Sequence, residues 1–364
     1  MHVPDGFINA PVSVAAGVVA VAAVGVSLRG ARRELGGPSQ AEGSGGERTA
    51  PLAGLVAAFV FAVQMLNFPV AAGTSGHLLG GALAAILVGP YTGVLCVSVV
   101  LLMQGILFAD GGLTALGVNI TVMGGVTVVV AYAIFRGLLK VLPPTRRSVT
   151  AAAFTGALVS VPAAAAAFTA VYAVGGTTDV PLAKVFTAMV GVHVLIGIGE
   201  AAITAATVGA VIAVRPDLVH GARGLHTPLK LRVGGELVDA PTAGAPAPAA
   251  HRSTRKFWLT GLVTALVLAG FVSFYASASP DGLEKVAADK GIDAKVEDHA
   301  AAGSPLADYG VKDVEDPRLS GGLAGVIGVG ATVAVGTGIF ITVSRRRRRS
   351  DELTAASTAP PAAG

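Results

Sequence analysis

The chain is dominated by apolar runs close to the length of a bilayer crossing, and that pattern leaves few folds open to it. A hydrocarbon core of about 30 Å needs roughly 20 helical residues. Runs of about that length occur at 10–28, 51–70, 112–135, 149–174, 184–213, 257–277 and 321–343. A further apolar stretch, 78–108, is interrupted by Gly89 and Pro90. It is too long for one span and short for two. Proline removes a donor and clashes with the preceding turn, so the stretch reads as two short helices meeting at Pro90. Only 13% of residues are charged, against about 25% in an average soluble domain, which excludes an ordinary soluble globular protein. The pattern predicts an all-α, polytopic integral membrane protein with nine spans. Cys96 is the single cysteine, which rules out an intrachain disulfide, a CxxC pair and a thiolate zinc site.

The basic residues give the direction. Arg29, Arg32, Arg33 and Arg48 follow the first span, and Arg136, Lys140, Arg146 and Arg147 follow the fifth. Arg215, Arg223, Lys230 and Arg232 follow the seventh, Arg252, Arg255 and Lys256 precede the eighth, and Arg345 to Arg349 follow the ninth. These are 20 of the 26 Lys and Arg, and all fall on one side. The positive-inside rule then predicts a multi-pass protein of the cell membrane with its N-terminus outside and its C-terminus in the cytoplasm. The same parity requires residues 71–111 to leave the outer face and return to it, as two short spans or a re-entrant hairpin. No positive side chain precedes the first apolar run as it would in a signal peptide, so the N-terminus is expected to stay attached and face outward.

Composition divides the chain further. Residues 1–213 read as a seven-span module and 256–344 as a two-span module. Between them, 214–255, with Pro241, Pro246 and Pro248 among alanines, reads as a cytoplasmic tether. Residues 36–51 read as a flexible Gly/Ser-rich loop and 345–364 as a polar cytoplasmic tail. The outer loop of the second module, 278–320, carries ten acidic and five basic residues, and attracts cations only within a Debye length of about 8 Å.

The chemistry begins at the first residues, Met-His-Val-Pro-Asp-Gly. A free amine, the next peptide nitrogen and the imidazole of His2 can close a five-membered and then a six-membered chelate ring on one metal ion. A fourth planar position stays open. Such a nitrogen plane suits Ni(II), Cu(II) or tetragonal Co(II) and disfavours Mg(II) and Ca(II), which prefer oxygen. Val-Pro-Asp-Gly is a turn sequence that lets the terminus curl back into the protein. His77, in the polar run Gly73-Thr74-Ser75-Gly76-His77 at the same outer face, is the candidate fourth ligand. Polar irregular backbone at membrane depth is tolerated where it lines a cavity.

Four motifs in order, MHVPDGF, GTSGHLLGG, FADGGLTALG and HVLIGIGE, resemble the substrate-binding membrane component of cobalt/nickel energy-coupling-factor (ECF) transporters, the CbiM/NikM family, over about residues 1–213. The resemblance implies a square-planar metal site made by the N-terminal amine of Met1, the backbone nitrogen and imidazole of His2, and His77. It also implies Co(II) or Ni(II) as the bound substrate. The implied partners are a transmembrane coupling component and cytoplasmic ATPase subunits. Ile120 to Met123 lack a second asparagine that family members often carry after the one matching Asn119. Pro280-Asp281-Gly282-Leu283-Glu284 resembles the PDGLE motif of the small two-span accessory component (CbiN/NikN-like), here fused to the binding module.

Other polar residues at membrane depth are candidates to orient the ligand histidines, since a metal-bound imidazole usually gives its other N–H to an acceptor. They are Asn67 and Asn119, with Gln104 and Asp110; Asp110 could instead cap a helix starting near Gly112. His193 and Glu200 are expected on one face of the seventh span. The chain has no GxxxxGK[ST] motif, so it is expected to bind no nucleotide, to be no enzyme, and to draw ATP hydrolysis from its partners. The arginine run 345–349 reads as an anchor at anionic lipid and not as a nucleic-acid site. Two other functions fit a polytopic metal binder: an ion-gradient-driven secondary transporter and an intramembrane metalloenzyme. No internal repeat supports the first and no HExxH supports the second.

Overall fold

The first helix, α1 (Ala10–Glu34), is started by Asn9, whose side chain accepts a hydrogen bond from the Val12 N–H at 3.1 Å, an N-cap that satisfies one of the free donors of the first turn. Its outer face shows Val14, Val18 and Val21, side chains suited to lipid. The computed structural model describes residues 1–35, 46–71, 73–222, 230–233, 236–239 and 254–358. Residues 36–45 of the expected Gly/Ser loop, and Pro241, Pro246 and Pro248 of the expected tether, lie outside them.

After α2 (Gly46–Gln64) the chain turns through a small antiparallel hairpin, β1 (Phe68–Ala71) and β2 (Thr74–Gly76). An extended stretch through His77 then leads into α3 (Gly81–Val88), which gives way at Gly89 to α4 (Pro90–Leu107). The two helices of the Leu78–Phe108 stretch thus meet at Pro90 but are unequal. At 1.5 Å per residue, α3 rises about 12 Å, less than half a bilayer core, and α4 about 27 Å. The Gly89 turn has φ +101° and packs on Glu34. The Glu34 carboxylate accepts the N–H groups of Tyr91 and Thr92 at 3.1 and 2.7 Å. The α3–α4 corner therefore sits at the arginine-bearing end of α1.

The remaining helices of the first module are α5 (Leu116–Asn119), continued through a π-helical stretch, Ile120–Val126, into α6 (Thr127–Val141), then α7 (Arg146–Gly175) and α8 (Leu182–Val214). Beyond them a short hairpin, β3 (Lys230–Val233) with β4 (Glu236–Asp239), stands within the expected tether. The second module has α9 (Thr254–Gly270), a short amphipathic α10 (Gly282–Lys290) in the outer loop, and α11 (Pro317–Thr358). The helix α11 runs on well into the stretch read as a polar tail. Among the described residues seven helices are long and apolar enough to cross a membrane; α3 is the half-length exception, and the apolar part of α2 is Ala50–Gln64.

The second module packs into the first. Gly54 of α2 lies against Thr337 of α11, and the Trp258 indole N–H of α9 donates to the Pro51 carbonyl at 3.1 Å. Tyr309 of the outer loop stacks on Phe108 with ring centroids 4.9 Å apart. One apolar core thus runs through both modules, with Phe61, Phe108 and Phe340 fully buried in it. Its consequence for the site is that the acidic outer loop is folded down over the first module.

Candidate metal centre

Residues 1–9 do not trail into solvent. Met1 is 3% exposed and Val3 1%. Asp5 accepts from the Thr114 N–H at 2.8 Å and its hydroxyl at 2.5 Å, and Asn9 N donates to Gly175 O. Gly6 has φ +86°, and a Cβ there would stand 2.0 Å from the Lys295 carbonyl, so only glycine lets the outer loop close on this arm. Asn119 grips the residue after His2 by both backbone groups: its Oδ1 accepts from Val3 N at 2.8 Å and its Nδ2 donates to Val3 O at 3.1 Å.

This arm delivers the Met1 amine to 2.7 Å from His77 Nε2. The His77 Nδ1 lies 3.0 Å from the Leu78 carbonyl, an acceptor only, so Nδ1 carries the proton and the Nε2 lone pair faces Met1. The segment holding His77 is pinned from α8, where the Glu200 carboxylate accepts from Leu79 N at 2.7 Å and Gly80 N at 3.1 Å. The rings of His2 and His77 stack at 5.1 Å with a 15° interplanar angle.

The tautomer of His2 follows from a chain of amides. Leu79 O can only accept, and Gln64 Nε2 donates to it at 2.9 Å. Gln64 Oε1 is then the acceptor for Gln104 Nε2 at 2.9 Å. That leaves Gln104 Oε1 facing His2 Nε2 at 3.2 Å, so Nε2 donates and the lone pair resides on Nδ1. Burial pushes the His2 imidazole down to about 4, with Asp110 opposing, so the ring is neutral. Its Nδ1 lies 3.2 Å from Asp110 Oδ1, and Nδ1 is the imidazole atom that a chelate with the Met1 amine requires.

Asp110 does not cap a helix: its other oxygen accepts from the Tyr309 hydroxyl at 2.6 Å. Burial first, and Asp110 beside it, push that hydroxyl well above its usual range, so it remains a donor. Asn67 enters through its backbone, its carbonyl accepting from Ser277 N at 2.7 Å. His193, 1% exposed, lines the same small pocket as Met1, His77 and Asp281. Its Nδ1 donates to Met189 O at 2.8 Å while Nε2 has no partner among the described residues. Gln64 and Asp281 were not legible as site residues. Gln64 looks like any polar residue closing an apolar helix, and Asp281 is 280 positions from its partner Met1.

Among the described residues His2, His77 and Asp281 form a group whose ligating atoms all lie within 4.8 Å of one another. Burial alone would raise the Asp281 carboxyl, but the Met1 ammonium and then His77 outweigh it and hold it well below the usual carboxylate range. A larger cleft of about 960 Å³ between α2, α8 and α9 is apolar and offers neither a histidine nor a carboxylate.

Residues 2–218 match the model of CbiM, the cobalt uptake substrate-specific transmembrane region. The chain belongs to the CbiM family. Residues 255–345 of this CbiM-family chain match the PDGLE domain. A Haloquadratum walsbyi protein named for metal transport is 38% identical over 219 residues, 60% of this chain and 93% of that protein. An Archaeoglobus fulgidus protein named as a fused nickel transporter, NikMN, is 35% identical over 220 residues, 60% of this chain and 68% of that one. The cobalt transport protein CbiM of Geobacter sulfurreducens is 32% identical over 174 residues, 46% of this chain and 49% of that protein. The arm from His2 onward, the amide chain and the two histidines lie within the CbiM match, whereas Asp281 and Tyr309 come from the PDGLE match.

Proposed function

We propose that this chain is the substrate-binding component of an ECF-type importer for Ni(II) and Co(II), with residues 1–213 as the binding module, 214–255 as a cytoplasmic linker and 256–344 as the fused accessory module. The metal is bound in a plane of nitrogens: the Met1 amine, the His2 backbone nitrogen and Nδ1, and His77 Nε2. The observation that carries this reading is the 2.7 Å approach of the Met1 amine to His77 Nε2. Neighbouring nitrogens on one ion, with bonds of about 2.0 Å, sit about 2.8 Å apart. The tautomers support it independently, since the amide chain directs the His2 lone pair to Nδ1 and the Leu78 carbonyl directs that of His77 to Nε2. Of the two asparagines singled out, Asn119 positions His2 by holding Val3, and Asn67 ties the hairpin to the second module.

The N-terminus and acidic loop face outward, the arginine-bearing ends face the cytoplasm, and the metal is released inward when partner ATPases hydrolyse ATP through a transmembrane coupling component. The nickel and cobalt transport named for the relatives supports both ions as substrate. The test is uptake of labelled Ni(II) or Co(II) into cells carrying this chain with and without the coupling and ATPase subunits. ATP-dependent uptake that needs those subunits and is lost in His77→Ala is expected. Uptake by this chain alone, driven by a proton gradient, would overturn the reading in favour of a secondary transporter.

A further inference from the structure

Asp281 divides its two carboxylate oxygens between two tasks. Its Oδ1 caps α10, accepting from Leu283 N at 2.7 Å and Glu284 N at 2.9 Å, and the Glu284 carboxylate in turn accepts from Asp281 N. This capping box fixes the side chain and leaves Oδ2 directed away from the helix. That oxygen lies 2.6 Å from the Met1 amine and 3.5 Å from His77 Nε2. The segment before it is tied to the strand that leads to His77: Ser75 N donates to Pro280 O at 2.8 Å and Ser75 Oγ to Ser279 O at 2.7 Å. The register of Asp281 on the site is thus set at both ends.

We infer that Asp281 Oδ2 supplies an oxygen vertex to the ion held by Met1, His2 and His77, so that the fused PDGLE module completes the coordination sphere of the binding module. Three atoms separated by 2.7, 2.6 and 3.5 Å are close to the spacing of neighbouring vertices around one transition-metal ion, about 2.8 Å. Burial makes the same demand: Asp281 is 8% exposed, a buried carboxylate needs a cation beside it, and a divalent ion on Oδ2 meets that need. Nitrogen donors from the first module set the plane, and the second module adds the anionic oxygen outside it.

This inference rests on the nitrogen site proposed above, and the experiment separates the two. The full chain is purified, loaded with Ni(II) alone, and studied by Ni-edge X-ray absorption, magnetic susceptibility and isothermal titration. Asp281→Asn is the informative variant, because asparagine caps a helix as well as aspartate does but lacks the anionic oxygen. Wild-type protein is expected to give a five-coordinate, paramagnetic Ni(II) adduct. D281N is expected to give a four-coordinate, diamagnetic planar one, with affinity lowered about ten- to a hundredfold, the range produced even by removing groups one layer further out. A diamagnetic planar adduct in both proteins, with equal affinity, would overturn the role of Asp281 and leave the nitrogen plane intact. Ni(II) binding in His2→Ala and His77→Ala as tight as in wild type would instead overturn the nitrogen site itself, and this inference with it.

Discussion

Replacing Asn119 by alanine tests whether the arm must be held for the metal to be held. Among the described residues the Asn119 side chain hydrogen-bonds neither histidine ring but the backbone N–H and carbonyl of Val3, at 2.8 and 3.1 Å. Both residues are buried, at 2% and 1% exposure. In Asn119→Ala the Val3 carbonyl keeps its second donor, Gly112 N at 2.9 Å, but the Val3 N–H is left without an acceptor. The lost bond to the Val3 carbonyl at about 1 kcal/mol and the orphaned buried Val3 N–H at about 1–3 kcal/mol amount to about 2–4 kcal/mol against docking. Binding drawn from a less populated docked state weakens by that fraction, so Ni(II) affinity falls by up to about 30- to 700-fold. Asn119→Asp keeps the acceptor for Val3 N and should fall between alanine and wild type. Isothermal titration with Ni(II) reads all three. An affinity in Asn119→Ala within threefold of wild type would refute the argument that arm docking limits binding.

Gly6→Ala should separate the arm from the outer loop, because the added Cβ would meet Lys295 O at 2.0 Å; Gly291→Ala carries similar left-handed strain, φ +73°, into open space. At least a tenfold loss of Ni(II) affinity in Gly6→Ala and little change in Gly291→Ala is expected, and equal losses would contradict the contact. Acidification should loosen the metal-free arm: with the docked His2 pushed from 6.5 to about 4, both states are neutral above pH 6.5. Below it only the undocked ring takes a proton, which costs docking about 2 kcal/mol by pH 5. Hydrogen-exchange protection of Val3, corrected for the intrinsic rate, should be flat above pH 6.5 and fall below it; constant protection to pH 4.5 would contradict this.

The helical architecture was legible because span length and charge asymmetry are local properties of the chain, and His2 and His77 were legible because a chelate is written in consecutive residues. Two short helices meeting at Pro90 were legible too, but their unequal lengths were hidden for the opposite reason. The extended polar stretch at Gly76–Gly80 is stabilised by Glu200, more than 100 positions away. The Gln64–Gln104 chain was likewise invisible, since two glutamines 40 apart carry no spacing signal until their helices are packed. Asp281 joins a local role to a tertiary one. Asp281-Gly282-Leu283-Glu284 is a capping-box sequence and does cap α10, while its second oxygen has a task set wholly by tertiary contact. The docking of the outer loop was hidden by its composition: among its ten acidic residues nothing marks Asp281, or Leu283 and Ile292 beside them, as buried against the first module.

The claim on which the rest depends is that the Met1 amine is itself a ligand. It is tested by titrating Ni(II) into the full chain and into one with a single glycine added before Met1. The extra residue moves the amine by more than 3 Å, out of a site where it now lies 2.7 Å from His77 Nε2. It leaves an amide nitrogen in its place, with both histidines and Asp281 unchanged. Loss of Ni(II) binding as complete as in His77→Ala is predicted; unchanged affinity in the extended chain would contradict the account.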